Sequence, residues 1–145
     1  MASAASVEDA LTGKVFDIVI NNAGVTATAS AFDLSADSID QVIDINLKGA
    51  LHVARTTARS MKDAGVGGSI INVASILGLR VAGQVSAYSA SKAGLVQLTK
   101  ALALEWSRFG IRVNALCPGY IETDHSRFMT GTEIAVDGGH LVSSL

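Results

Sequence analysis

The sequence predicts an α/β protein, a buried parallel sheet with helices packed against it. Three observations carry this. Short apolar runs ending in small polar residues or glycine alternate with long stretches of helical periodicity. Hydrophobic residues make up 49% of the 145-residue chain but aromatics only 5%, with 14 glycines. That balance describes an interior of Val, Ile, Leu and Ala, which suits strands covered on both faces. Finally, small polar residues and glycines recur just past the strand ends, the edge of an open parallel sheet at which ligands bind. The length fits one domain, 1–145.

Taken in order, Val7, Ala10 and Leu11 have helical spacing, and Gly13 closes that helix. Val15 to Ile20 form a short apolar strand leading into Asn21-Asn22-Ala23-Gly24. Ser35 or Asp37 caps a helix from about Ala36, whose apolar stripe (Ile39, Val42, Ile43, Leu47, Leu51, Ala54) runs on to about Ala64. Gly65-Val66-Gly67-Gly68 breaks it. Because this cluster follows a helix and enters a strand, it is not a phosphate loop. Ser69 to Ala74 is the second strand, with Ser75 at its end. Val85 to Phe109 reads as one long helix ended by Gly110, with Trp106 and Phe109 packing near its end or at a subunit interface. Ile111 to Leu116 is a third strand, turned by Pro118-Gly119, and Thr132 to Val136 a fourth, turned by Asp137-Gly138-Gly139. Strand and helix in this alternation imply right-handed parallel crossovers.

Composition excludes several classes. The formal net charge of −2 leaves no basic footprint for nucleic acid, and no Lys/Arg cluster points to an anionic membrane. No apolar run approaches a spanning helix, and the first residues lack the pattern of a signal peptide. Cys117 is the only cysteine, so no internal disulfide forms; a cytoplasmic, reducing location is expected, with the thiol packed rather than reactive. His52, His125 and His140 share no metal-ligand spacing, so no metal is expected.

The chemistry-bearing pair is Tyr88 and Lys92, four residues apart on one helical face. An ammonium beside a phenol favours the phenolate, which suits a general acid/base working on a carbonyl. By itself such a pair is more often a solvated helix face. Its context is what changes the reading. Asn22-Ala23-Gly24, Ser75 and Pro118-Gly119 all follow strand ends, and Asn46 is a mediocre helix former on a buried-looking stretch. Ser86, Ser89 and Ser91 are rivals of Ser75, but only Ser75 ends a strand.

With N-N-A-G at 21–24, Asn46 in N-L-K-G, Ser75, Y-S-A-S-K at 88–92 and P-G-Y-I-E-T at 118–123, the chain resembles the short-chain dehydrogenase/reductases. Order and spacing both match from Phe16 onward, and the flanking sequence is more loosely similar to 3-oxoacyl-thioester reductase-like members. The resemblance implies a partial Rossmann-type doubly wound sheet of about four strands, NAD or NADP as cofactor, and a small carbonyl or alcohol substrate. It also implies a homo-oligomer if the chain is complete. Tyr88 would then be the general acid/base. Lys92 would support it and bind the nicotinamide ribose, Ser75 would hydrogen-bond the reacting oxygen, and Asn46 would hold a relay water. Asn22, Ala23 and Gly24 would form the cofactor wall, with Pro118, Gly119, Ile121 and Thr123 against the nicotinamide and its phosphates.

Two departures from the family are expected to matter. Its first strand and the glycine-rich turn T-G-x-x-x-G-x-G have no counterpart, so truncation at the N-terminus is expected. Met129 also runs directly into Thr130-Gly131-Thr132, an expected internal deletion where relatives carry a substrate lid and a crossover helix. The strand at Phe16–Ile20 becomes an apolar edge, which favours aggregation. The competing expectation is therefore a non-catalytic fragment or a helix-mediated interaction module.

Overall fold

The structure is a computed structural model that describes residues 4–119. Three parallel strands, β1 (Ile18–Asn21), β2 (Gly68–Val73) and β3 (Ile111–Leu116), lie in the order β1-β2-β3. In register, Val19 is opposite Ile70, and Ile70 opposite Val113. The fourth strand expected at 132–136, its turn, Ile121, Thr123 and the junction at Met129 fall outside the described residues.

Helix α1 (Ala4–Leu11) precedes β1, and Gly13 follows it at φ 74°. Ser35 caps α2 (Ala36–Ile43), its Oγ accepting from the Ser38 N–H at 3.2 Å. The single helix expected from Ala36 to Ala64 is interrupted. Residues Asp44–Gly49 form a π-helical turn, and a regular helix, α3 (Ala50–Asp63), resumes only after it. A π turn adds a residue to one revolution and re-aims the side chains within it. Here it carries Asn46 fully inside, where two hydrogen bonds to the peptide of Val25 offset the irregular backbone.

The long helix is α4 (Ser86–Trp106), extended by a 3₁₀ turn (Ser107–Phe109) and stopped by Gly110 in the left-handed region at φ 71°. Gly67, which packs against this turn, is a matter of space rather than of φ. A Cβ on Gly67 would stand 2.6 Å from the Gly110 carbonyl oxygen, so the turns entering β2 and β3 approach closer than side chains allow.

The core sits on one face of the sheet. Val19, Ile70, Ile111 and Val113 point from alternate strand positions into α3 (Ala54, Ala58, Met61) and α4 (Leu102, Ala103), and Trp106 and Phe109 close the end of this layer. Both crossover helices thus lie on the same side, as right-handed crossovers between strands added in sequence order require. On the other face of β1, Ile18 and Ile20 are 62% and 61% exposed. Among the described residues β1 is an edge strand, as the sequence implied.

A polar chain crosses this apolar layer. Asn21 donates to the Ala50 carbonyl at 3.2 Å and to Asn72 Oδ1 at 2.8 Å. Asn72 in turn donates to Thr99 Oγ1 at 2.9 Å, and Thr99 to the Leu95 carbonyl at 2.7 Å. All three side chains are buried, and every link is a good hydrogen bond.

Candidate active site

The C-terminal edge of the sheet gathers the residues that the sequence singled out. Parallel strands end together, and backbone bonds tie their extensions: Ala74 N–H to the Leu116 carbonyl at 2.7 Å, and Ile76 N–H to the Pro118 carbonyl at 2.9 Å. Ser75 is therefore held beside Pro118. Asn22, Ala23 and Gly24 continue β1 along the same edge as an exposed ledge, and Gly119 is exposed opposite it.

Lys92 rises from α4 into this edge. It is 4% exposed, donates to the Val73 carbonyl at 2.7 Å, and lies 5.7 Å from the centroid of the Tyr88 ring. Burial pulls its ammonium below the usual lysine value, a shift opposed by Cys117. Only one of its three donors goes to Val73, so two remain for a ligand. Tyr88 is half-buried at the rim. Cys117 packs with Ala50, Ala74 and Leu95; burial pushes its thiol up, against the Ser75 backbone and the Lys92 charge.

Gly24 places the ledge beside this group. A Cβ there would lie 3.4 Å from Asn46 Oδ1 and 3.5 Å from Lys92 Nζ. Asn46 clasps the backbone of Val25, its Oδ1 accepting from the Val25 N–H at 2.8 Å and its Nδ2 donating to the Val25 carbonyl at 2.9 Å. The other Nδ2 hydrogen goes to Ser91 Oγ at 3.0 Å. Both donors of the Asn46 amide are thus engaged by protein, and only one Oδ1 lone pair is left for a relay water.

Ser75 occupies extended backbone at the end of β2, and its Oγ accepts from the Leu77 N–H at 3.1 Å, capping the turn Ile76–Gly78. The capping role is real, yet it uses the oxygen as acceptor and leaves the hydroxyl proton for a substrate oxygen. That turn leans directly on α4. A Cβ on Gly78 would meet the Lys92 carbonyl carbon and oxygen at 2.9 Å each. Gly78→Ala is accordingly expected to push the Ser75 turn off the Lys92 turn and cost about 1–3 kcal/mol. A urea midpoint equal to wild type would refute this.

The buried ammonium carries a pH signature. Its folded pKa is depressed, so the native state releases this proton before the unfolded chain does, and stability rises with pH from that depressed value to 10.5. Below that window the full burial penalty is present; above it, it is gone. Wild type measured against Lys92→Met should therefore gain relative stability as pH is raised towards 10.5. A difference in unfolding midpoint that stays flat with pH would contradict the burial argument. Cys117 is common to both proteins, so its opposite trend largely cancels.

Sequence reasoning missed three contributors. Asn21, the first residue of N-N-A-G, points inward while Asn22 points out; the period of two in a strand was the available signal. Ser91 is fully buried between Asn46 and the Tyr88 carbonyl. The Val73 carbonyl, which anchors Lys92, carries no signal in a sequence. Two open hollows of about 510 and 520 Å³ lie along α3, and Tyr88 lines neither. Among the described residues the candidate site is an open ledge, with Asn22, Ala23, Gly24 and Gly119 exposed.

Comparison with known proteins agrees with this fold. Residues 2–133 match the family model described as short chain dehydrogenase. A 2-dehydro-3-deoxy-D-gluconate 5-dehydrogenase of Dickeya dadantii is 40% identical over 126 residues, 86% of this chain and 49% of that protein. The crystal structure of a 2-deoxy-D-gluconate 3-dehydrogenase homologue from Agrobacterium tumefaciens with bound NADP superposes with a TM-score of 0.79 at 39% identity, covering 83% of this chain and 49% of that one. An NAD⁺-bound xylitol dehydrogenase does so with a TM-score of 0.79 at 33% identity, covering 83% and 48%. The chain thus spans about half the length of the relatives it matches.

Proposed function

The chain belongs to the short-chain dehydrogenase family, and from that premise we propose that its site serves NAD(P)-dependent interconversion of a carbonyl and a secondary alcohol. The observation that carries this reading is the Lys92 ammonium, buried and fixed on the Val73 carbonyl 5.7 Å from the Tyr88 ring, beside a glycine whose missing side chain leaves the ledge bare. A buried cation next to a half-buried phenol is arranged for proton transfer to or from a bound oxygen.

The described residues fit the nicotinamide end of such a cofactor. Gly24 lets a ligand approach Lys92, whose two remaining donors suit ribose hydroxyls, while Ala23, Pro118 and Gly119 supply the flanking walls. When bound, the nicotinamide supplies or takes the hydride. Tyr88 gives its proton to the carbonyl oxygen in reduction and takes it back in oxidation. Ser75 donates its hydroxyl hydrogen to the same oxygen as negative charge develops there, the kind of fixed donor that lowers the barrier. Asn46 holds the Val25 peptide, and with it the ledge, in place. The sugar-acid and polyol names of the relatives make a polyhydroxylated carbonyl the substrate class to try first, with NADP and NAD as equal candidates. A homo-oligomer and a cytoplasmic setting complete the reading; no helix among the described residues is long and apolar enough to cross a membrane.

A second reading rests on the edge of β1. Among the described residues Ile18 and Ile20 stand exposed on a strand unpaired on one side, and no turn of the phosphate-holding type opens a helix beside it. On this reading the chain supplies the proton-transfer half of the site and holds a dinucleotide weakly. Fluorescence titration with NADH and NADPH separates the two. Micromolar binding with turnover of a polyhydroxylated ketone supports the first reading; folded protein that neither binds nor turns over supports the second.

A further inference from the structure

We propose that Ser91 is a positioning residue that sets where the Tyr88 turn of α4 stands relative to the strand-end ledge. The proposal rests on the reading of Tyr88 as the proton donor, and its geometry stands by itself. Ser91 is 0% exposed and uses its hydroxyl both ways. Its Oγ accepts from Asn46 Nδ2 at 3.0 Å and donates to the Tyr88 carbonyl at 2.7 Å. Through Asn46 this bond continues to the backbone N–H and the carbonyl of Val25. Four residues from three separate parts of the chain, Val25, Asn46, Ser91 and Tyr88, form one unbroken line of hydrogen bonds from the ledge to the catalytic turn.

The start of α4 has no side-chain cap to fix it. Its first residue follows Val85, which makes no side-chain cap, and the residue before that, Gln84, is in the left-handed region at φ 64°. Capping is the usual device for fixing where a helix begins, so an uncapped first turn takes its position from tertiary contacts. Backbone bonds from the Ala29 N–H to the Gln84 carbonyl at 3.0 Å and from the Ser89 N–H to the Val85 carbonyl at 2.9 Å hold the approach. Lys92 ties the turn to the end of β2 through the Val73 carbonyl, and Ser91 ties it to Asn46 and the ledge. Serine inside a helix is a poorer choice than alanine, which would also fit a small buried site. The hydroxyl is the only reason to prefer it here.

Ser91→Ala and Ser91→Thr, made in the full chain, test this. Threonine keeps the hydroxyl, and in a helix its Oγ1 readily bonds the carbonyl three residues back. One measurement needs no turnover: nuclear Overhauser contacts between the Lys92 ε-methylene and the Tyr88 ring. They should fall to less than about half of wild-type intensity in Ser91→Ala and be retained in Ser91→Thr, although both variants melt earlier. With a carbonyl substrate, kcat should drop roughly tenfold in Ser91→Ala, with KM within about twofold, since a small misplacement of a catalytic group is felt in the chemical step. Ser91→Thr should restore it. Should Ser91→Ala fail to fold, Ser91→Cys, which conserves volume with a weaker donor, is read in the same way and should fall between the two. Unchanged ring contacts and kcat in a less stable Ser91→Ala would reduce Ser91 to a packing residue and overturn the proposal. If Tyr88→Phe leaves turnover intact, it is the proton-donor reading that fails, and the ring contacts still decide the role of Ser91.

Discussion

Tyr88→Phe is expected to lower turnover by about 10²–10⁴-fold while leaving the fold intact, because it removes a positioned acid and nothing else of size. Tyr88 sits half-buried at the rim of the site, its ring 5.7 Å from the Lys92 ammonium. Phenylalanine keeps the ring and the contact with the cation and deletes only the oxygen that carries the proton. A surface-type stability change within about 0.5 kcal/mol is therefore expected, checked by the urea midpoint. The measurement is kcat with a polyhydroxylated ketone and NADH or NADPH, followed at the nicotinamide absorbance. Loss of rate with an unchanged midpoint assigns the proton to Tyr88. Residual turnover within tenfold of wild type would pass that role to another group, and Ser75 is then the nearest candidate at the strand end.

Much of this site was legible because it depends on patterns with short periods. Strand ends were marked by glycine and small polar residues, so the parallel edge that gathers Gly24, Ser75 and Pro118 followed from topology. The spacing of Tyr88 and Lys92 followed from the helix. The π turn at Asp44–Gly49 did not, since its apolar stripe continues on either side at ordinary helical spacing and the irregularity is set by Asn46 reaching Val25. Asn46 itself was found, as the holder of a water; that its amide also binds the backbone of Val25 and the Ser91 hydroxyl was not legible. Contacts between residues far apart in sequence, such as Asn72 with Thr99, leave one legible trace: a polar residue on a buried strand must have a partner. Which partner only the fold decides.

Asn72 provides the second large effect, and it joins stability to the site. It lies 1% exposed at the centre of the sheet, accepting from Asn21 and donating to Thr99, so that one side chain links β1, β2 and α4. Asn72→Ala leaves an Asn21 N–H without an acceptor in the interior and opens a small void. The orphaned donor costs about 1–3 kcal/mol and the lost packing roughly a further 1 kcal/mol. A total near 2–4 kcal/mol is a large share of the roughly 5–15 kcal/mol that holds an ordinary domain together. Thr99 is less affected, because its own hydrogen goes to the Leu95 carbonyl. The damage should instead run along β1, since Asn21 immediately precedes the ledge at Asn22 to Gly24 that faces Lys92. Removing Asn21 as well should cost less than the sum of the two single changes by about 1 kcal/mol or more, because the orphaned donor disappears with it. Urea unfolding of wild type, Asn21→Ala, Asn72→Ala and the double variant gives that coupling directly. Strictly additive losses would show that the two amides act independently, and that the polar chain under the ledge does not hold it in place.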